Sequence, residues 1–212
     1  MSKPRVFLAD DHTLLVDAFR KLLEPDFEVV GAAANGRDLI LLAPTLQPDL
    51  VIVDLGLPLL NGIDASRELK KLLPRTRILV VTVNEDSGVA REALRHWASG
   101  YLLKKSAGEE LKYALQQLLR GKTYVTPVMA RKLAEDFIRD PDLQSGKLLT
   151  LRQREVLQLL AEGRTMKEAA DILSLTTRTI AFHKYRIMED FGMRSNSELL
   201  KLAMREHLIA AS

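Results

Sequence analysis

Residues 51–62 read VIVDLGLPLLNG. An apolar run ends in a single carboxylate, Asp54, and a short loop then leads into a helical pattern. Near-continuous apolar runs of this kind are strands buried on both faces, and such strands belong to parallel sheets. Working outward, the same texture recurs at Arg5–Ala9, Glu28–Ala33, Ile78–Val83 and Gly100–Leu103, with this strand itself at Leu50–Val53. Amphipathic helical segments lie between them, near 13–24, 37–46, 62–73, 86–97 and 107–120. Five strands alternating with five helices predict an α/β, doubly wound, five-stranded parallel sheet over residues 1–121.

In such a sheet, ligands bind beyond the carboxyl ends of the strands. Asp10 and Asp11 follow strand 1, Asp54 follows strand 3, Thr82 sits near the end of strand 4 and Lys104 follows strand 5. Three carboxylates, a hydroxyl and an ammonium therefore converge on one edge. A carboxylate can act as a nucleophile and form an aspartyl phosphate. Mg²⁺ prefers oxygen ligands, which Asp11 and Asp54 supply, and Lys104 would neutralise charge on a transferring group. Each residue alone has a blander reading, as a helix cap, a β-former or a solvated lysine. The whole set at matching strand ends is what points to phosphoryl chemistry.

Residues 4–120 resemble the receiver domain of two-component response regulators, a flavodoxin-like fold. The pieces that carry the resemblance are FLADDH, VIVDLGLP followed by Asn61-Gly62, VVT and GYLLKKS. The resemblance implies that Asp54 is the phosphoacceptor. It implies that Asp10, Asp11 and Asp54 bind Mg²⁺ together with the backbone carbonyl of Gly56. It further implies that Thr82 and Tyr101 move on phosphorylation and that Lys104 contacts the phosphoryl group. Two positions depart from the pattern. Trp97 stands where relatives carry Gly, which implies a different helix ending or strain, and Val83 follows the switch threonine where many relatives have a smaller residue.

Gly121 closes the last of these helices. Residues 122–147 read as a linker, with a short helix over Pro127–Ile138 and then Asp-Pro-Asp and Ser-Gly. From 148 to 212 the pattern is purely helical, near 150–162, 165–173, 176–190 and 195–207, an all-α second domain. Thr150 and Thr176 suit N-caps, while Gly163 and Gly192 suit helix ends. A helix, a brief turn at Ser174–Leu175 and a second helix read as a helix-turn-helix. On the second helix Ile180, Ile187 and Phe191 share one side, which should be core. Arg178, Phe182, Tyr185 and Glu189 fall roughly opposite, and His183 lies beside the core face.

This segment resembles the LuxR-type domain of NarL/FixJ-like response regulators, from LTLRQREVLQLLAEG to GMRSNSELL. The resemblance makes 176–190 the recognition helix, and the expected DNA contacts on its exposed face and flanks are Thr176, Thr177, Arg178, Phe182, Lys184, Tyr185 and Arg186. Ala181 stands where relatives often carry a DNA-contacting Lys. The final helix would provide a homodimer contact on DNA, and in relatives the resting receiver masks the recognition helix.

Acidic and basic side chains balance over residues 1–120, and residues 148–212 carry only a slight basic excess, so DNA binding rests on the motif and not on charge. The chain has no cysteine, which excludes disulfides and thiolate chemistry. No signal peptide and no membrane span is read, so a cytoplasmic protein is expected. The sequence ADDHTLL after strand 1 lacks the glycines of a phosphate-binding loop, which argues against a nucleotide-dependent enzyme. The reading is a non-enzymatic, phosphorylation-dependent transcription regulator with a cognate sensor histidine kinase, or a small phosphodonor, as its source of phosphoryl groups. A constitutive DNA-binding protein with a ligand-sensing receiver is the alternative.

Overall fold

The computed structural model describes residues 2–139 and 149–209. Its sheet has six parallel strands: β1 (Arg5–Ala9), β2 (Glu28–Ala33), β3 (Leu50–Val53), β4 (Arg77–Thr82), β5 (Gly100–Leu103) and β6 (Tyr124–Val125). They are ordered β2-β1-β3-β4-β5-β6. Five strands were expected. The sixth has two residues, too few to show a period, and it forms because Gly100 and Tyr101 offer an unpaired edge to Tyr124 and Val125.

Helices α1 (Thr13–Leu23), α2 (Gly36–Leu46), α3 (Gly62–Leu72), α4 (Ser87–His96) and α5 (Ala107–Leu119) cover the two faces of the sheet. Successive strand residues point to opposite sides. Phe7 and Ala9 pack with Val51, Val53, Leu39 and Leu69, whereas Val6 and Leu8 pack with Phe19, Leu23, Leu111 and Leu115. Two apolar layers follow, and the strands between them carry almost no exposed side chain.

Within the segment read as a linker, Tyr124 and Val125 join the sheet. Thr126 donates its N–H to the Tyr101 carbonyl and accepts the Leu103 N–H, both at 3.0 Å. Helix α6 (Pro127–Arg139) buries Met129 in the sheet's core and holds α4 through Ser87–Asp136. The Asp-Pro-Asp and Ser-Gly dipeptides lie outside the described residues.

Four further helices complete the chain: α7 (Leu151–Ala161), α8 (Met166–Leu173), α9 (Thr177–Asp190) and α10 (Asn196–Arg205). Thr150, Thr165 and Ser195 each form a capping box with the Gln or Glu three residues on. Gly163 and Gly192 end α7 and α9 at φ of 83° and 65°, where a Cβ would be strained.

Candidate functional site

Parallel register places the acidic edge. Ala9 pairs with Val53, so the residues that follow them, Asp10 and Asp54, emerge side by side. Asp54 donates its N–H to the Ala9 carbonyl at 2.8 Å, which locks the two strand ends together. Both carboxylates are buried, while Asp11 is exposed beside them. Lys104 reaches in from the end of β5, and its Nζ lies 2.8 Å from Asp10 Oδ2 and 2.8 Å from Asp54 Oδ2. Burial pulls the Lys104 ammonium down, but its bonds to Asp10 and Asp54 outweigh this and its pKa is raised, so the charge is held in place.

Ligand atoms of Asp10, Asp11, His12 and Asp54 all lie within 4.8 Å of one another. The sequence reading passed over His12. Its Nδ1 sits 3.0 Å from Asp10 Oδ1 and 2.9 Å from Asp11 Oδ1. Gly56 is exposed, and a Cβ built there would lie 3.5 Å from Asp54 Oδ2, so the backbone passes close to the Asp54 carboxylate.

Thr82 and Tyr101 are both buried, and both are tied to Asn84. Thr82 Oγ1 accepts the Asn84 N–H at 3.2 Å, and the Tyr101 hydroxyl donates to the Asn84 carbonyl at 2.9 Å. The Asn84 side chain then lies 2.9 Å from His207 Nδ1, beyond the end of α10. Burial, then the charges of Asp86 and Asp54, push the Tyr101 phenol up, so it remains a donor. Nothing local in the sequence marks Asn84 as this junction, because its partner lies 123 residues away.

The departures from pattern have plain outcomes. Trp97 ends α4 at φ −148° and ψ −28°, a negative φ, so the helix terminates without the left-handed residue that a Gly would supply. Its side chain is buried in the core. Val83 is 74% exposed and does not fill the acidic pocket.

On the second domain, Ile180 and Ile187 are fully buried, and Phe191 packs against the cluster that holds Ile187. Thr176, Thr177, Arg178, Phe182, Tyr185 and Arg186 are exposed on one surface, with Lys184 half-buried next to them. The Lys184 ammonium lies 5.8 Å from the Tyr185 ring centroid. The Thr176 hydroxyl is engaged as N-cap, accepting the Thr179 N–H at 3.1 Å. Arg186 pairs with Glu189 at 3.3 Å and Asp190 at 3.4 Å. Burial, then the charge of Arg152, lowers the half-buried His183.

These side chains are exposed in the structure, so the receiver does not cover them in this arrangement, unlike the masking expected from relatives. Instead the first domain grips α7 and the end of α10. Arg154 on α7 donates Nε to both oxygens of the fully buried Asp64, at 3.0 and 2.9 Å. Arg37 reaches Glu155 at 3.3 Å, and His207 Nε2 lies 3.5 Å from Asp86 Oδ2.

Comparison with known proteins bears on both halves. Residues 6–116 match the family model for the response regulator receiver domain, and residues 147–203 match that for bacterial regulatory proteins of the luxR family. The chain is 31% identical to the oxygen regulatory protein NreC of Staphylococcus carnosus, covering 97% of this chain and 99% of that one. The Staphylococcus aureus NreC is 30% identical over the same shares. Among solved structures, the Salmonella typhimurium RcsB response regulator is similar with a TM-score of 0.65 at 29% identity, covering 95% of this chain and 97% of that one. A structure of an RcsB–DNA complex is similar with a TM-score of 0.61 at 29% identity, covering 94% and 97%.

Proposed function

Because the chain belongs to the response regulators that join a receiver domain to a LuxR-type DNA-binding domain, we propose that Asp54 accepts a phosphoryl group and that this event switches DNA binding by α8 and α9. The family makes it a transcription regulator and not an enzyme. The observation that carries the proposal is Lys104, held 2.8 Å from both Asp10 and Asp54 in a pocket of three carboxylates.

An oxygen of the Asp54 carboxylate attacks phosphorus while the donor's bond to phosphorus breaks, releasing acetate from acetyl phosphate or the imidazole of a phosphohistidine kinase. Asp54 needs no general base, since a carboxylate is the nucleophile. The all-oxygen set of Asp10, Asp11, Asp54 and the Gly56 carbonyl suits Mg²⁺. When bound, Mg²⁺ would neutralise charge on the transferring group. Lys104 supplies the fixed positive charge from the protein side. Thr82 accepts the Asn84 N–H and has its own O–H to donate to a phosphoryl oxygen, and Tyr101 shares Asn84, so a shift of Thr82 would be felt at Tyr101.

The partners in this reading are double-stranded DNA, a cognate sensor histidine kinase and a second copy of the chain on DNA. Solved RcsB structures include two RcsB dimers on two parallel DNAs, which supports a dimer here. Among the described residues no helix is long and apolar enough to cross a membrane.

Intact-protein mass spectrometry after incubation with acetyl phosphate and Mg²⁺ tests the acceptor. One added phosphoryl group is expected on the wild type and none on Asp54→Asn. No adduct on a folded wild type with rapid trapping, or equal labelling of both proteins, would sink the assignment.

A further inference from the structure

Trp97 borders a groove that the phosphoryl chemistry does not use. The groove has a volume of about 430 Å³ and lies between α3, the end of α4 and the start of α7. None of Asp10, Asp11, Asp54 and Lys104 lines it, so it is separate from the acidic pocket. Leu149, Leu151 and the little of Trp97 that is not buried give it an apolar lining. Its charged lining is mostly cationic. Arg67, Lys70, Lys71 and Arg154 face Glu68, the one carboxylate among the described residues that line it.

The protein's own carboxylates do not serve these cations equally. Asp64 accepts Arg154 Nε at 3.0 and 2.9 Å and Arg67 Nη1 at 3.1 Å. Glu92 takes the other end of Arg67, and Glu68 takes Lys71 at 2.6 Å. Lys70 has only a neutral partner among the described residues, the Thr76 carbonyl at 2.9 Å. An ammonium carries more donors than that one bond uses. Burial, then the charge of Arg77, lowers the Lys70 pKa, so its surroundings are short of negative charge. His96, exposed on the groove's edge, has no polar partner among the described residues. Trp97 is also short of a partner. Its Nε1–H is buried with no acceptor, whereas nearly all buried donors have one. Relatives carry Gly at this position, and a Gly would supply neither that donor nor the apolar surface.

We propose that this groove binds a small organic anion with an apolar body, its acidic group held by Lys70 and its body against Trp97, Leu149 and Leu151. The stems of Lys70 and Lys71 extend the apolar wall while their ammonium groups stay at the charged end. Arg67 and Arg154, already engaged by Asp64, contribute field and not a direct bond. A carboxylate, a sulfonate and a phosphate all present the same chemistry to Lys70. The volume is that of a small-molecule site and too small for a folded partner. Binding here is an input to the chain that does not pass through Asp54.

The test uses the full chain, isotope-labelled for magnetic resonance, with anilinonaphthalene sulfonate as the anionic probe. Trp97 is the single tryptophan, so its indole N–H gives one identifiable resonance beside the groove. That resonance is expected to move with saturable dependence on the dye, while the backbone spectrum shows that the chain stays folded. N-phenylnaphthylamine, the same body without the sulfonate, is expected to bind roughly tenfold more weakly. Lys70→Gln is expected to weaken the dye roughly three- to tenfold, and Lys70→Arg to hold it within about twofold of the wild type. Arg164→Gln, in the separate cleft where α8 and α10 begin, is expected to change nothing. An indole resonance that does not move, equal binding of the neutral probe, or wild-type affinity in Lys70→Gln overturns the proposal. So does a loss in Arg164→Gln in place of one in Lys70→Gln, which puts the dye in the other cleft.

Discussion

Two glycines in the receiver half differ sharply in what they tolerate. A Cβ at Gly62 would lie 1.9 Å from the Asp54 carbonyl oxygen and 2.8 Å from its carbon, and neither backbone atom can move without displacing Asp54. Gly62→Ala is expected to cost about 3 kcal/mol or more, the range of overpacked core sites, and to depress phosphorylation as well. Gly108, in the first turn of α5, would place its Cβ in open space. Gly108→Ala is expected to add about 0.5–1 kcal/mol by removing unfolded-state freedom. Urea titration of both variants checks the contrast, and equal midpoints would refute it.

At the scale of the element, α9 is organised by its cap and its two faces. Thr176→Ala removes the acceptor for the Thr179 N–H and is expected to cost about 1 kcal/mol of stability. On the outward face, Phe182 and Tyr185 are each more than half exposed, which is unusual for aromatics without a partner surface. Substituting either with Ala is expected to weaken binding to a preferred sequence more than to random DNA, as loss of base contacts should. Arg178→Ala is expected to weaken binding to all sequences and lower the salt dependence by about one ion. Arg186→Ala should do less, because Glu189 and Asp190 already engage its charge. Binding isotherms at several salt concentrations separate these patterns, and an Arg186→Ala effect as large as that of Arg178→Ala would contradict the assignment of roles.

Across the whole molecule, the domain joint is polar and partly buried. Arg154→Leu removes one of the two arginines at the buried Asp64 carboxylate, which keeps Arg67 and Asn61, and about 1–3 kcal/mol is expected to be lost. A second contact responds to acid. The hydrogen bond to His207 is the largest cause that holds the Asp86 carboxyl at about 2, with bonds from Val89 and Gly88 helping, against an opposing contribution from burial. A carboxyl depressed in the folded state stabilises above its ordinary 3.8, and the contribution is lost as pH falls from there towards about 2. Acid in that window is therefore expected to loosen the contact between the end of α10 and the loop before α4. Asp86→Asn should show less acid sensitivity there by scattering, and an unchanged profile would count against it.

Much of this was legible along the chain. Apolar runs of strand length fixed the parallel sheet, because burial on both faces leaves no polar alternation. Parallel register then carried Asp10, Asp54 and Lys104 to one edge, so the acidic pocket could be read from strand ends alone. The helix-turn-helix was equally visible, through Thr150, Thr176, Gly163 and Gly192 as local signals. Such features depend on neighbours within a few residues, and sequence holds that information. The sixth strand and the junction at Asn84 do not. Gln158 meets Asn61 across 97 residues and His207 meets Asn84 across 123, and no period or spacing encodes such a meeting. Which face of the DNA-binding domain the receiver grips was decided only when both domains had folded and their buried polar groups required partners.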